Sequence, residues 1–424
     1  MIRSNFYSRT LIGAVCALAA VLCTGCIGGG GKEARHEVAP LYSAASPEFR
    51  QATGSLLGAN FVAGNNIKTL VNGREIFPSM LDGIRHARRT IDFETYVYWD
   101  GEIAKQFTQA LAERARAGVK VNIILDAQGT QKMGGENLAL LRGAGATVVK
   151  YHSIFWLDPR RYNNRSHRKL LIIDGREAFV GGVGIADEWL GNGETPKNWR
   201  DNHYKVTGPV VAQLQATFMD NWLKTRGEVL HGGEYFPPLA ATGPYTAQAF
   251  KSSPRGGDMD IHLMYMLAIA SAQRTLLIEN AYFLPDTLMR KELISAAKRG
   301  AKVEVIVPGK KIDQKLLRLA SRKHWPELLK AGVKIYEYQP TMVHVKLMIV
   351  DGAFVSVGSG NLDLRSLRLN DEANMNVLNP SFAAEQTRLF QADKRRSRQI
   401  TLDDTGHMIL APIEQAASLL SPVM

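Results

Sequence analysis

The pattern H-x-K-x4-D is written twice in this chain, as His167, Lys169 and Asp174 in SHRKLLIIDGREAFVGG and as His344, Lys346 and Asp351 in VHVKLMIVDGAFVSVGSGNLD. A similar run of elements precedes each copy. Ile91–Tyr98 alternates as a strand does; Ile103, Phe107, Ala110 and Leu111 recur at helical spacing behind Asp100, a fair N-cap; and Gly118 separates that helix from the β-branched run Val119–Leu125. The second half repeats the order with Thr275–Ile278, a helix around Leu288–Lys298, Gly300 and Val303–Val307. Gly118 lies 49 residues before His167 and Gly300 lies 44 before His344, while Gly145 and Gly332 precede matching short strands. The repeat predicts two similar α/β halves, each a mainly parallel or mixed sheet flanked by helices. A Gly- and Pro-rich stretch between Gly227 and Asp258 holds the expected boundary, dividing the body into 61–235, a connection over 236–258, and 259–424 with its tail.

Composition narrows the function classes. Apolar residues make up 45% and charged residues 22% of the 424, which argues against disorder and coiled coil. The formal charge of +12 favours anionic partners, either phosphate groups or an acidic membrane face. Nothing in the chain demands a nucleic acid, and nothing fixes an oligomeric state. Cys16, Cys23 and Cys26 are the only cysteines, so the body after them has no disulfide, thiolate metal site or Cys nucleophile of its own.

Those first residues read as an export segment. Arg3 and Arg9 precede Leu11–Cys23, an uncharged run of 13 residues, too short to span about 30 Å of hydrocarbon. Cys23, Thr24, Gly25 and Cys26 resemble a bacterial lipobox, with the usual leucine one place early at Leu22. The resemblance implies a signal peptide over 1–25, an acyl anchor on Cys26 and a tether through Gly28–Gly31 within 26–60. Ordinary cleavage or an uncleaved anchor is the alternative. Ile27, not an aspartate, follows Cys26, which implies a place in the cell envelope at the outer membrane, facing the periplasm.

Residues two apart on a strand face one way, so each histidine points with its lysine while the aspartate closes the strand before a Gly turn. Gly181 and Gly358 permit close backbone approach, and Ser359 and Asn361 suit an anion at the second turn. Two histidines and two lysines converging on one cleft make a phosphodiester site, with the lysines holding charge on the phosphoryl oxygens. One neutral imidazole attacks phosphorus to give a phosphohistidine. The other, protonated, gives its proton to the leaving alkoxide and then takes one from the acceptor. Side chains supply the cationic charge, so the scheme needs no metal or other cofactor, and the neighbouring lysines would repel a divalent ion.

The duplicated motif resembles the phospholipase D superfamily, and its surroundings resemble the bacterial cardiolipin synthase branch. The likeness runs through most of the chain after about residue 60, in GNNIKTLVNGREIFPSMLDGIRHARRTIDFETYVYWDGEIA, NNRSHRKLLIIDGREAFVGGVGIADEWLG, WRDNHYKVTGP, IENAYFLPD and HVKLMIVDGAFVSVGSGNLDLRSLRLNDEANMNV. It implies two halves sharing one active-site cleft and transfer of a phosphatidyl group to a phosphatidylglycerol hydroxyl. It implies His167 as nucleophile, His344 as general acid and base, and Lys169, Lys346 and Asn361 as phosphate ligands. Glu372 matches a carboxylate that orients an imidazole, and Asp201 is the nearest first-half candidate. Asp174 and Asp351 read as turn stabilisers near lysines or arginines. The first copy departs from the pattern at Gly184, where many members place asparagine.

Around the motifs, Tyr96, Tyr98, Trp99, Tyr282, Phe283, Phe155, Trp156, Arg160, Arg161 and Tyr162 suit either a bilayer interface or packing between the halves. Glu94 and Glu279 occupy matching strand positions, for cleft or ion pair. His203 reads as packing, and Lys394–Arg398 as a solvated basic tail or a membrane contact. The expected partners are anionic phospholipids and a membrane surface, with a lipid hydroxyl, a small alcohol or water as acceptor. Phosphatidyl transfer is the leading reading. Phospholipase D hydrolysis, nuclease activity and non-catalytic lipid binding are the alternatives.

Overall fold

The computed structural model describes residues 34–152 and 163–406. The export segment, Cys26, Phe155, Trp156, Arg160, Arg161 and Tyr162 lie outside the described residues.

Fifteen strands run through the described residues. The first half holds β1 (Val62–Val71), β2 (Thr90–Thr95), β3 (Lys120–Asp126), β4 (Thr147–Tyr151), β5 (Leu170–Ile173), β6 (Glu177–Gly181) and β7 (Asn202–Thr207). Then come β8 (Tyr245–Ser252), β9 (Thr275–Asn280), β10 (Lys302–Pro308), β11 (Lys334–Tyr338), β12 (Lys346–Val350), β13 (Phe354–Gly358), β14 (Glu372–Leu378) and β15 (Ser397–Ile400). They form one sheet in the order β15-β11-β10-β9-β12-β13-β14-β8-β1-β7-β6-β5-β2-β3-β4. The order reads alike outward from its middle, where β1 and β8 pair antiparallel through Val62 with Ala247 and Asn65 with Tyr245. The expected repeat is therefore present as a two-fold plan within a single sheet. The stretch read as a connection contains β8, which pairs with β14 on its other edge.

The sheet is mixed rather than mainly parallel. Only the strands joined through helices, β2-β3-β4 and β9-β10-β11, run parallel. The motif strands β5 and β12 lie antiparallel to β2 and β9, and each turns straight back into β6 or β13. A tight turn after each motif aspartate leaves no room for a crossover helix. β3, β5 and β12 are buried almost throughout because both faces of the sheet are covered. On one face a shared core joins the halves: Leu214, Phe218 and Trp222 of the helix Val211–Arg226 and Phe382 and Phe390 of the helix Pro380–Arg395 pack with Ile172, Tyr204, Ile349 and Val357. The other face carries a separate core in each half. The helix Glu102–Arg116 takes its cap from elsewhere than expected. Asp187, not Asp100, accepts the Glu102 and Ile103 amides at 2.9 and 3.0 Å. Among the described residues no helix is long and apolar enough to cross a membrane.

Candidate active site

Backbone pairing between the halves sets the site. His167 donates its amide to Asp371 O at 2.9 Å, and Asp371 returns one to Arg165 O at 2.8 Å. The second half does the same: His344 N donates to Arg200 O at 2.7 Å and Arg200 N to Met342 O at 2.8 Å. Glu372 follows Asp371 and Asp201 follows Arg200. Each bridge thus presents a carboxylate from one half to the histidine of the other.

The side chains complete the crossing. His167 donates Nδ1–H to Glu372, 2.9 Å from each oxygen, and Ser359 and Ser366 donate their hydroxyls to the same carboxylate at 2.5 and 2.6 Å. His344 donates Nδ1–H to Asp201 Oδ2 at 2.8 Å, where the Trp189 indole also donates at 3.1 Å. With Nδ1 protonated in both rings, Nε2 is the basic nitrogen of each. Gly182 and Trp189 stand as far past His167 as Ser359 and Ser366 stand past His344. The substitution follows from space: a Cβ on Gly182 would lie 2.5 Å from Asp201 Oδ1. Gly184, in register with Asn361, is closed in the same way, since its Cβ would lie 2.6 Å from that of Val97. The asparagine missing from the first half therefore has no room there.

The electrostatics follow from burial. Lys169 and Lys346 anchor Nζ on the carbonyls of His167 and His344 at 2.7 and 2.6 Å, and Lys346 Nζ lies 3.1 Å from both ring nitrogens of His344. Burial pushes the Lys346 ammonium down to about 8 and lowers Lys169 well below its ordinary value. Burial takes the His167 imidazole to about 4 against the pull of Glu372, and burial with Lys346 and Lys169 carries His344 well down. Both shifts favour the neutral imidazole. Burial raises Asp201 to about 6. Burial alone would raise Glu372 too, but His167, Lys169 and Ser359 outweigh it and hold the carboxyl below its usual range.

Both histidines, Lys169 and Asn361 line one cleft of about 370 Å³, and Lys346 sits against His344 at its wall. Asn361 Oδ1 is buried there without a hydrogen-bond partner. Tyr96 sets its ring 5.3 Å from His167, and Trp199 and Tyr282 set theirs 5.4 and 6.2 Å from His344, so these aromatics wall the cleft. Tyr98 and Phe283 are core residues. Ser359 does not line the cleft; its hydroxyl is spent on Glu372. Asp174 and Asp351 lie at the far ends of β5 and β12, away from the cleft. Asp174 accepts the amides of Arg88, Arg89 and Thr90, and Asp351 those of Gln273, Arg274 and Thr275. Both carboxylates are satisfied by backbone amides, three of them belonging to arginines, Arg88, Arg89 and Arg274.

Glu94 and Glu279 are buried behind the site. Glu94 accepts from Ser166 and Asn221, while Glu279 sits against Asp393, the carboxylate paired with Arg200. His203 is buried with neither ring nitrogen hydrogen-bonded. Lys394 pairs with Glu304 and Arg398 with Asp404. The sequence reading missed Trp189, Ser366 and the buried Arg168, which pairs with Asp220 and donates to Glu372 O. Equal offsets from the two motifs were the signal for the first two.

A family model described as "Cardiolipin synthase, PLD-like domain" matches residues 80–222 and 265–394. The chain is 34% identical over 374 residues to cardiolipin synthase 2 of Bacillus anthracis, covering 87% of this chain and 73% of that protein. It is 31% identical over 371 residues to cardiolipin synthase A of Pseudomonas entomophila, covering 86% and 76%. The fold is also that of the phosphatidylserine synthase of Haemophilus influenzae Rd KW20, at a TM-score of 0.66 and 14% identity over 89% of this chain and 100% of the other. With the twice-written motif, the mirrored sheet and a model match in each half, the chain belongs to the phospholipase D superfamily, in its bacterial cardiolipin synthase-like branch.

Proposed function

We propose that this protein is a phosphatidyltransferase that joins two phosphatidylglycerol molecules into a diphosphatidyl lipid and releases glycerol. The carrying observation is that two imidazoles line one cleft, each oriented through Nδ1 by a carboxylate of the other half. His167 Nε2 attacks the donor phosphorus, and the bond to the glycerol headgroup breaks. The leaving oxygen takes its proton from His344 Nε2, and phosphatidyl-His167 remains. The hydroxyl of a second phosphatidylglycerol then gives its proton to His344 and attacks phosphorus, and the P–N bond breaks to restore His167. Lys169, Lys346 and Asn361 hold the phosphoryl oxygens. The ionised, symmetric partner Glu372 supports His167 as nucleophile, because it stabilises positive charge on the attacking ring. Burial first, and then Lys346 and Lys169, favour neutral His344; a bound phosphodiester offsets the lysines' charge and so favours the protonated ring that the leaving group needs.

In this reading Cys26 carries the acyl anchor, at the outer membrane facing the periplasm, and the cleft works on the membrane's own phospholipids. Incubation of the full chain with labelled phosphatidylglycerol tests the proposal. Diphosphatidyl lipid plus glycerol is the expected outcome; phosphatidic acid alone makes the protein a hydrolase, and neither product removes the proposal.

A further inference from the structure

A second cavity, of about 500 Å³, lies beside the catalytic cleft. The partition is one layer of residues thick. Asp363 and Arg365 line the cleft while Leu364 and Arg368, on the same short helix, line the cavity. On the helix Lys315–Lys323, Leu317 faces the cleft and Ala320, one turn on, the cavity.

Its lining is amphiphilic. Leu284, Leu288 and Leu364 provide apolar wall; Arg290 is held by Glu327 at 2.5 Å, while Arg35 and Arg368 face one lining carboxylate, Asp286. That carboxylate is already engaged, capping Met289 N at 2.9 Å and meeting His262 Nε2 at 3.1 Å. Arg368 reaches it at 3.3 Å with a side chain 43% exposed, and when that guanidinium turns to a phosphate Met289 N and His262 still hold the buried carboxylate. The first half closes the matching place. Asp187 stands as far past His167 as Leu364 past His344, and its carboxylate caps the helix Glu102–Arg116. In the second half Asp286 caps the helix Thr287–Lys298 itself, which leaves Leu364 to line open space.

We infer that this cavity binds the acceptor phosphatidylglycerol, with its glycerol backbone and upper acyl carbons against the leucines and its phosphate on Arg368. Its headgroup hydroxyl then reaches past the helix Leu364–Arg368 to the phosphorus held on His167. The inference rests on the proposed transfer reaction and adds where the second lipid sits. Water and small alcohols enter the cleft without this site.

Two variants test it: Ala320→Trp, which fills the cavity, and Arg368→Glu, an exposed charge reversal that leaves the core alone. Vesicles of phosphatidylglycerol containing dilute ethanol give two products, diphosphatidyl lipid and phosphatidylethanol. Both variants are expected to lower the ratio of the first to the second by about tenfold. An unchanged ratio overturns the inference. The full chain carrying His167→Ala, which cannot turn over, is expected to bind two molecules of a short-chain phosphatidylglycerol, and one when Arg368→Glu is added. Two in both chains, or one in both, also overturns it. A wild-type chain that makes no diphosphatidyl lipid sinks the functional reading instead, while the binding count still decides the cavity.

Discussion

Glu372 grips His167 from 205 residues away, both carboxylate oxygens 2.9 Å from Nδ1. Asp201 grips His344 through a single oxygen at 2.8 Å, with an indole rather than two hydroxyls beside it. The two halves share a plan, yet their carboxylates differ in length, in support and in the direction burial and neighbours push them, Asp201 up and Glu372 down. In the proposed reaction the first ring carries the phosphatidyl group and the second passes protons, and the asymmetry suits that division.

An activated substrate separates the two rings. Nitrophenolate departs without a proton, so with a nitrophenyl phosphodiester His344→Ala is expected to accumulate an acid-labile adduct on His167, with turnover down about 10³-fold. His167→Ala forms no adduct. Intact mass spectrometry reads both, and an adduct in His167→Ala alone reverses the assignment.

Gly182→Ala puts a methyl where the Asp201 carboxylate lies, 2.5 Å from Oδ1. The carboxylate is displaced and His344 loses its orienting partner, so kcat is expected to fall by about 10² to 10³. Asp201→Ala does the same damage, and the double variant should be no slower than either single one. Additive losses would show that Gly182 acts by another route.

Asp351→Ala removes the acceptor of three amides, from Gln273, Arg274 and Thr275, at a residue whose φ is 51°. The expected cost is about 2–4 kcal/mol of stability by denaturant unfolding, with kcat retained while the chain is folded. Asp351→Asn should cost less, since asparagine tolerates a left-handed backbone. A kcat lost in parallel with the charge would give the aspartate a chemical role.

Asp92 is buried between Asn122 and Gln215, and burial pushes its carboxyl up to about 7. The folded state then binds a proton that the unfolded chain has released, so wild-type stability falls as pH rises from about 4 to about 7. Asp92→Asn has no such slope. It should gain about 4 kcal/mol on wild type between about pH 4 and the far side of pH 7, a rise of about three pH units at about 1.4 kcal/mol each. Parallel curves in chemical denaturation at several pH values would sink this account.

Period and spacing made the duplication, the motif strands and the His–Lys pairs legible, because these depend on neighbours along the chain. Of the parallel and mixed alternatives the sheet is the mixed one, because the turn at Asp174 and Gly175 sends β5 straight back into β6. Glu372 and Asp201 were both visible, but their exchange between halves was not, since it arises from backbone bridges at Asp371 and Arg200 that leave no periodicity. The Asp187 cap was missed for the same reason, lying 85 residues from the helix it serves.

The crossed pairs also bear on the order in which the chain is made. When the first half leaves the ribosome it holds His167 without Glu372 and Asp201 without His344. On the proposed mechanism both crossed pairs are complete only after β14 has been synthesised and seated, so the chemistry waits for nearly the whole chain.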